Sequence, residues 1–419
     1  MASVALMALG VAAWAGLRSL LPGDDELARR LEAAFKARTG HGLVVGELRW
    51  RLLGLPVVEV LDAHTQQKDA IRVRRVALHP QLLPLLRQRL VIDRLEVDGA
   101  DVPRDSLNAL QGRTAEANDR VELRRLVFTN LRYTSYSGIA VAYDGEVSFD
   151  EDRLPRRVQI RRPGVSPPAT LDATREGRTE RGADIYRLRV QAAGGTVHGQ
   201  ARLTTRDDGR LLLAGELAPR QVEVQALLDA FHRRSFISGR ASGETTLRAE
   251  GETLGALFRS LRTRSELTVD GAKILRIDVA KAVKSLGEDR AGQTPLDSLS
   301  GVVETQNTEH GMKTTFTHVE AVAGDYSATG CATLYRKQLA AQGELDIAGG
   351  LVDVPFAAHG PTRKPTFRIA KGSIAGAAIG TVLLPGIGTA IGAQIGGAVS
   401  GPPTADEDGV PLQGDCPQR

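Results

Sequence analysis

Aromatic residues make up only 4% of this 419-residue chain. Any apolar surface must therefore be built from Leu, Val, Ile and Ala, and no aromatic-plus-basic platform of the kind that reads nucleic-acid bases is present. Basic residues are spread along the sequence rather than blocked into tails. The net charge of +4 accordingly reads as arginine on solvated strand faces, with anionic lipid headgroups as a second reading, and no nucleic-acid partner is expected. Cysteine is nearly missing: Cys331 and Cys416 are the only two, and their spacing fits no zinc or CxxC motif. They are either free thiols or one disulfide that would pin the C-terminal tail to a strand. Catalytic signatures are missing too: there is no HExxH, GxSxG or P-loop. The eight histidines are scattered and read as lone loop residues, with a meeting of His310 and His318 across a hairpin as the lesser alternative. The acidic run Phe149-Asp150-Glu151-Asp152 reads as a solvated turn, and Asp144-Gly145 and Asp208-Gly209 read as hairpin turns. Gly386-x-Gly388-x3-Gly392 lacks the βαβ context and the downstream acid of a dinucleotide site. The expectation is a non-enzyme with no catalytic residue, no metal and no cofactor.

What is present begins with an apolar stretch, Ala2–Leu21, interrupted by Arg18. Two readings stay open: a short uncleaved span with Arg18 snorkelling, or a signal peptide with Ala13-Trp14-Ala15 as a small-x-small site. Leu27, Leu31, Ala34 and Phe35 follow at helical spacing, with Asp24 and Asp25 at the start of the predicted helix and Gly40 at its end. Strands dominate thereafter. Tyr186–Val190 alternates cleanly, as do Leu211, Leu213, Gly215 and Leu217, then Tyr326, Ala328, Gly330, Ala332 and Leu334, then Leu345 and Ile347. Period two with one polar side means a sheet covered on one face only.

Several strands slip phase midway: Leu123 and Arg125 lead into Leu126, Phe128 and Asn130 and then into Leu131 and Tyr133, and Arg74-Arg75 does the same between Val73 and Val76. Such slips are what bulges produce, and bulges bend sheets. A bent sheet with one apolar face is a trough. Three segments, around Val224–Phe231, Leu254–Leu261 and Val279–Leu286, predict helices of about three turns, too few to cover it. The Pro- and Gly-rich stretch Arg162–Asp184 reads as a linker or long loop. Ile374–Val399 is uncharged, with glycines four apart and Pro385-Gly386 near its middle. It reads either as a helical hairpin dipped into a bilayer or as a buried helix pair.

The opening stretch, with its helix ending in Thr39-Gly40, then Leu48-Arg49-Trp50, Leu55-Pro56 and Leu82–Arg89 (LLPLLRQR) before the strand Leu90–Gly99, resembles the AsmA-like family of bacterial envelope proteins, relatives of TamB. The segment GETLGALFRSLRTRSELTVDGAKILRIDVAKAV, the strand SATGCATLYRKQLAAQGELDIAG, and Val354-Pro355, His359-Gly360-Pro361 and Lys364-Pro365 resemble the family's C-terminal region. The resemblance implies a mainly β fold: an elongated, curved, taco-like sheet with an apolar groove, a few short helices, an N-terminal membrane anchor and a C-terminal glycine-rich helical hairpin. On this reading residues 1–21 are the anchor or signal, 22–161 and 185–370 the two AsmA-like β-regions, 162–184 the linker, 371–401 the glycine-rich segment and 402–419 a polar tail. The resemblance further implies an inner-membrane protein with one N-terminal span, its bulk in the periplasm, acting in outer-membrane biogenesis by binding or conducting phospholipids. Fifteen to eighteen strands would give a groove of roughly 70–85 Å. The positions expected to line it are Leu95, Val97, Leu126, Phe128, Leu188, Val190, Leu213, Leu217, Leu267, Val269, Phe316 and Leu345. The alternative is a scaffold for outer-membrane proteins that works through exposed strand edges with envelope protein partners.

Overall fold

The computed structural model describes residues 23–369 except 52–55, 86–88, 105, 107–120, 135–137, 253, 286–288, 290, 309, 348–351, 363 and 364. The expected anchor, the glycine-rich segment, the polar tail and Cys416 lie outside the described residues. Among the described residues no helix is long and apolar enough to cross a membrane. The fold is mainly β, and the chain divides into two units between Pro163 and Gly164.

The first unit opens with helix α1 (Asp24–Thr39), whose first turn carries Asp24, Asp25 and Glu26 against the helix dipole. Gly40 ends it in the left-handed conformation (φ 76°), its N–H donating to the Lys36 carbonyl. Then come β1 (Gly42–Val44), β2 (Glu47–Arg51), β3 (Val57–Gln66), β4 (Arg72–Pro80), the single turn α2 (Leu82–Leu85), β5 (Leu90–Pro103), β6 (Val121–Leu123), β7 (Arg125–Thr134), β8 (Ala140–Phe149) and β9 (Pro155–Arg161). They pair in the order β2–β3–β4–β5–β7–β8–β9, with β1 beside β2 and β6 beside β7. All pairs are antiparallel except β5 with β6 and β7, which run parallel. Leu27 and Ala28 of α1 pack on a small core of Leu48, Val60 and Ala63, while Leu31 and Ala34 of the same predicted stripe are exposed.

The second unit is one long antiparallel meander. Its elements are β10 (Thr170–Arg178), β11 (Asp184–Ala192), β12 (Gly195–Thr205), β13 (Leu211–Arg220), β14 (Val222–Glu223), α3 (Val224–Ala230), β15 (Ile237–Gly251), α4 (Leu254–Ser260), β16 (Arg262–Leu275), α5 (Val279–Lys284), β17 (Gln293–Pro295), β18 (Ser298–Thr308), β19 (Gly311–Ala323), β20 (Tyr326–Tyr335), β21 (Gln338–Ile347), β22 (Val352–Pro361) and β23 (Thr366–Ile369). Each strand pairs with the next, except that β13 passes over β14 to reach β15 and β16 passes over β17 to reach β18.

Four expectations need correction. The stretch Arg162–Asp184 is not a plain linker, because it contains β10. Leu171 and Ala173 alternate with polar residues there, and β11 supplies the backbone partners from Thr170↔Gln191 to Arg178↔Asp184. Asp144-Gly145 is no turn but the middle of β8. A Cβ on Gly145 would fall 2.4 Å from Phe128 Cζ and 2.5 Å from the Gln159 carbonyl, so the glycine serves close approach. The three later helices have seven, seven and six residues, two turns rather than three. His310 and His318 do not meet across a hairpin: His310 precedes β19 and His318 lies within it, about 25 Å further along an extended strand.

Candidate functional site

Residues paired across neighbouring strands point to the same side of a sheet, so the registers assign faces. In the second unit one row runs Ala173, Leu188, Gly199, Leu217, Thr245, Ser265, Val303, Phe316, Ala332, Ala341, Ala358. No member is charged, and eleven strands at ~4.8 Å spacing make the row about 48 Å long. The row one residue over, on the other face, runs Arg187, Gln200, Glu216, Thr246, Arg264, Glu304, Thr315, Thr333. Arg264 donates to Glu304 across the strands at 2.7 Å, the behaviour of a solvated face. Hydroxyls on the apolar side satisfy one another: Thr245 Oγ1 donates to Ser265 Oγ at 2.9 Å, and Thr263 and Thr305 share a bond of 2.7 Å.

The first unit repeats the division. Trp50, Val58, Leu78, Leu95, Leu126, Val147 and Val158 form one cross-strand row, and Leu48, Val60, Val76, Val97, Phe128, Gly145 and Ile160 another. Behind them Arg75 donates to Glu59 at 2.8 Å and to Glu96 at 3.2 Å, and its guanidinium holds the Glu59 carboxyl below its ordinary range. The expected slip at Asn130 on β7 coincides with a register shift and a left-handed residue (φ 50°), whereas at Arg74-Arg75 β4 shows neither, and the left-handed residues there, Asp62 (φ 52°) and Gly99 (φ 66°), belong to the neighbouring β3 and β5. Val60 and Ala63 are three residues apart yet share the same buried cluster. At Asn130 the extra residue is held by its N–H donating to Asp144 Oδ1 at 2.8 Å.

All twelve positions expected to line a groove lie on these two apolar faces, and all twelve are half-buried. Leu95, Val97, Leu126 and Phe128 belong to the first unit. Leu188, Val190, Leu213, Leu217, Leu267, Val269, Phe316 and Leu345 belong to the second. What is fully buried is largely alanine, and among large side chains Val354 is one of the very few with almost no exposure. In the second unit the helices lie at the strand ends. Helix α4 lies over the apolar side at Gly251, where a Cβ would be 2.5 Å from Ala256 Cβ, and buries its own Leu257 there.

Glycines bend the second sheet toward its apolar side. A Cβ on Gly199 would lie 2.0 Å from the Glu216 carbonyl oxygen, on Gly243 2.0 Å from that of Glu266, and on Gly343 2.2 Å from that of Thr329. Each of these glycines is in the long apolar row or one step from it, so the neighbouring strand rises on that side into the space a side chain would fill. The sequence signal was available as a glycine at an inward position of nearly every strand, but its meaning depends on a neighbour that only the pairing supplies.

Two charged residues interrupt the apolar side at one end. Asp184 pairs across from Leu203, and Arg175 from Tyr186. The Asp184 carboxylate, 3% exposed, accepts from Arg175 Nη2 at 2.6 Å and from Arg178 Nε at 3.0 Å. Sequence reasoning missed this pair because it placed Arg175 inside a loop. Among the described residues no group of three or more His, Cys, Asp or Glu is placed to hold a metal ion. No family model matches the chain, and no curated protein and no solved structure does either.

Proposed function

We propose that this protein binds phospholipids, with acyl chains laid on the apolar faces and headgroups left at the strand-end rims. The observation that carries the reading is the long uncharged row of the second unit, whose Leu, Val and Phe side chains are held half-buried with helices only at the strand ends. Large exposed apolar area marks a place where something apolar sits. Burial contributes about 0.8 kcal/mol per methylene, so an acyl chain is retained without directional contacts, and one stretch of aliphatic wall can replace another as it slides. The AsmA-like resemblance supports the same reading. It sets the proposed role in outer-membrane biogenesis, with the protein anchored in the bacterial inner membrane and its bulk in the periplasm.

The test is lipid analysis of the full chain purified in mild detergent. Phospholipid should co-purify, and Val190→Asp or Leu217→Asp should reduce the bound amount at least fivefold while circular dichroism stays that of a β protein. Purified protein without phospholipid would end the proposal. Unchanged lipid in the aspartate variants, together with harm from prolines in the edge strands, would favour a scaffold acting through strand pairing.

A further inference from the structure

One strand-end rim of the second unit combines exposed bulky apolar side chains with basic residues. Phe258, on α4, is 70% exposed, and Met312, at the start of β19, is 53% exposed. Contacts join them into one surface. Asn307 donates through Nδ2 to the Phe258 carbonyl at 2.8 Å and through its N–H to the Leu261 carbonyl at 3.1 Å, and it pairs across the strands with Met312. Next to it, Thr308 Oγ1 and the Tyr335 hydroxyl are 3.2 Å apart, and the Arg336 guanidinium stands 5.3 Å over the Tyr335 ring.

Arg336 and Lys337 form the two-residue turn between β20 and β21, both left-handed (φ 50° and 65°) and both exposed. Turns of this kind ordinarily take Asn-Gly, because the left-handed conformation crowds Cβ against the backbone carbonyl, a clash that glycine avoids and asparagine tolerates. Arginine and lysine carry a conformational cost at these positions, and neither makes an ion pair among the described residues. Arg259 in the last turn of α4 and Lys313 beside Met312 are further basic residues here, and the exposed acids Glu250 and Glu252 precede that helix. The Tyr335 hydroxyl is held below its ordinary range by its bond with Thr308 and then by Arg336 and Lys313, which reports the same positive surroundings.

We infer that this rim docks on the surface of an anionic phospholipid bilayer, with Phe258 and Met312 entering the interface and Arg336 and Lys337 resting on the headgroups. A folded protein partner would require a contiguous apolar patch. Here the apolar groups are separate projections from a helix and from the start of a strand, flanked by a tyrosine and by the exposed Arg336 and Lys337, the composition suited to a membrane interface. The inference does not depend on lipid binding along the apolar faces.

The experiment gives residue 258 a local reporter. Full-length chain carrying Phe258→Trp is mixed with vesicles of zwitterionic or of mixed zwitterionic and anionic phospholipid, each containing brominated acyl chains, and its fluorescence is compared with that of the unsubstituted chain. The added signal should be quenched by the anionic vesicles and restored by salt, since screening weakens such contacts. With Arg336→Glu and Lys337→Glu the vesicle concentration needed should rise at least about tenfold. With Val190→Asp, which alters only the apolar face, it should not change. Absence of quenching, equal quenching by neutral vesicles, or loss of quenching in Val190→Asp would each overturn the inference, the last by showing that the reporter senses lipid held in the groove.

Discussion

Asp184 is the residue whose neighbourhood least resembles its surroundings. It is almost wholly buried on an apolar face, yet it accepts from two arginines, and Arg175 is itself only 13% exposed. A buried pair of this kind gives little net stability, but removing one member leaves the other charge buried without compensation. Asp184→Ala is therefore expected to destabilise the protein by about 3 kcal/mol, read as a lower midpoint in urea unfolding. Replacing Asp208, an exposed turn residue whose carboxylate accepts from the Arg210 N–H, should cost less than half as much. Single residues also set the local phase of the strands. Asn130 tolerates the left-handed conformation because its polar side chain suits that region, and Asp144 satisfies its N–H.

Strands of the second unit alternate because apolar and polar residues alternate, but alternation alone yields a flat or gently twisted ribbon. The bend arises where glycine takes an inward position and the adjacent strand moves in. Gly199→Val would place a side chain 2.0 Å from the Glu216 carbonyl oxygen, which is backbone and cannot swing aside. Overpacking against rigid groups costs about 1–3 kcal/mol, so the expected outcome is a clear fall in the thermal midpoint. Gly177→Ala is the control, since a Cβ there meets nothing within 4 Å. The helices act differently. Two-turn segments such as α3 and α4 have little stability of their own. Helix α3 is held by Glu223, whose carboxylate accepts from the Gln225 and Ala226 N–H groups at its start, and α4 by its seat at Gly251.

Across the molecule, apolar side chains outnumber the places where they can be fully buried. Each unit has one predominantly apolar face, and the closely buried residues are mostly small. This surplus of half-buried apolar surface is the basis for the lipid experiments above. The cysteines belong to this scale as well. Cys331 stands on β20 opposite Gln342 and has no free thiol, while Cys416, the only other cysteine, lies outside the described residues. If the two are joined, denatured unreduced protein should yield no titratable thiol and reduced protein two. Reduction should also lower stability, since opening a loop of 85 residues (416 − 331) frees chain entropy worth about 4–5 kcal/mol in the simplest model. One or two free thiols before reduction would exclude the bond.

Period-two patterning by itself determined that this chain is mainly β, that its sheets have one apolar side, and which side Leu188, Leu217 or Phe316 takes. Those facts depend on each strand's own residues. The position of the phase slip at Asn130 was legible for the same reason. Only the tertiary structure decided that Gly145 lies within a strand, that Thr170–Arg178 pairs, that Asp184 and Arg175 meet, and that the glycines crease the second sheet. Each of these is a relation between strands, set by register, and a shift of one residue in pairing would change the neighbour without changing a letter of the sequence. The rim of Phe258, Met312 and Arg336 is likewise a product of pairing, since it brings together three segments spread over nearly eighty residues through the side chains of Asn307 and Thr308.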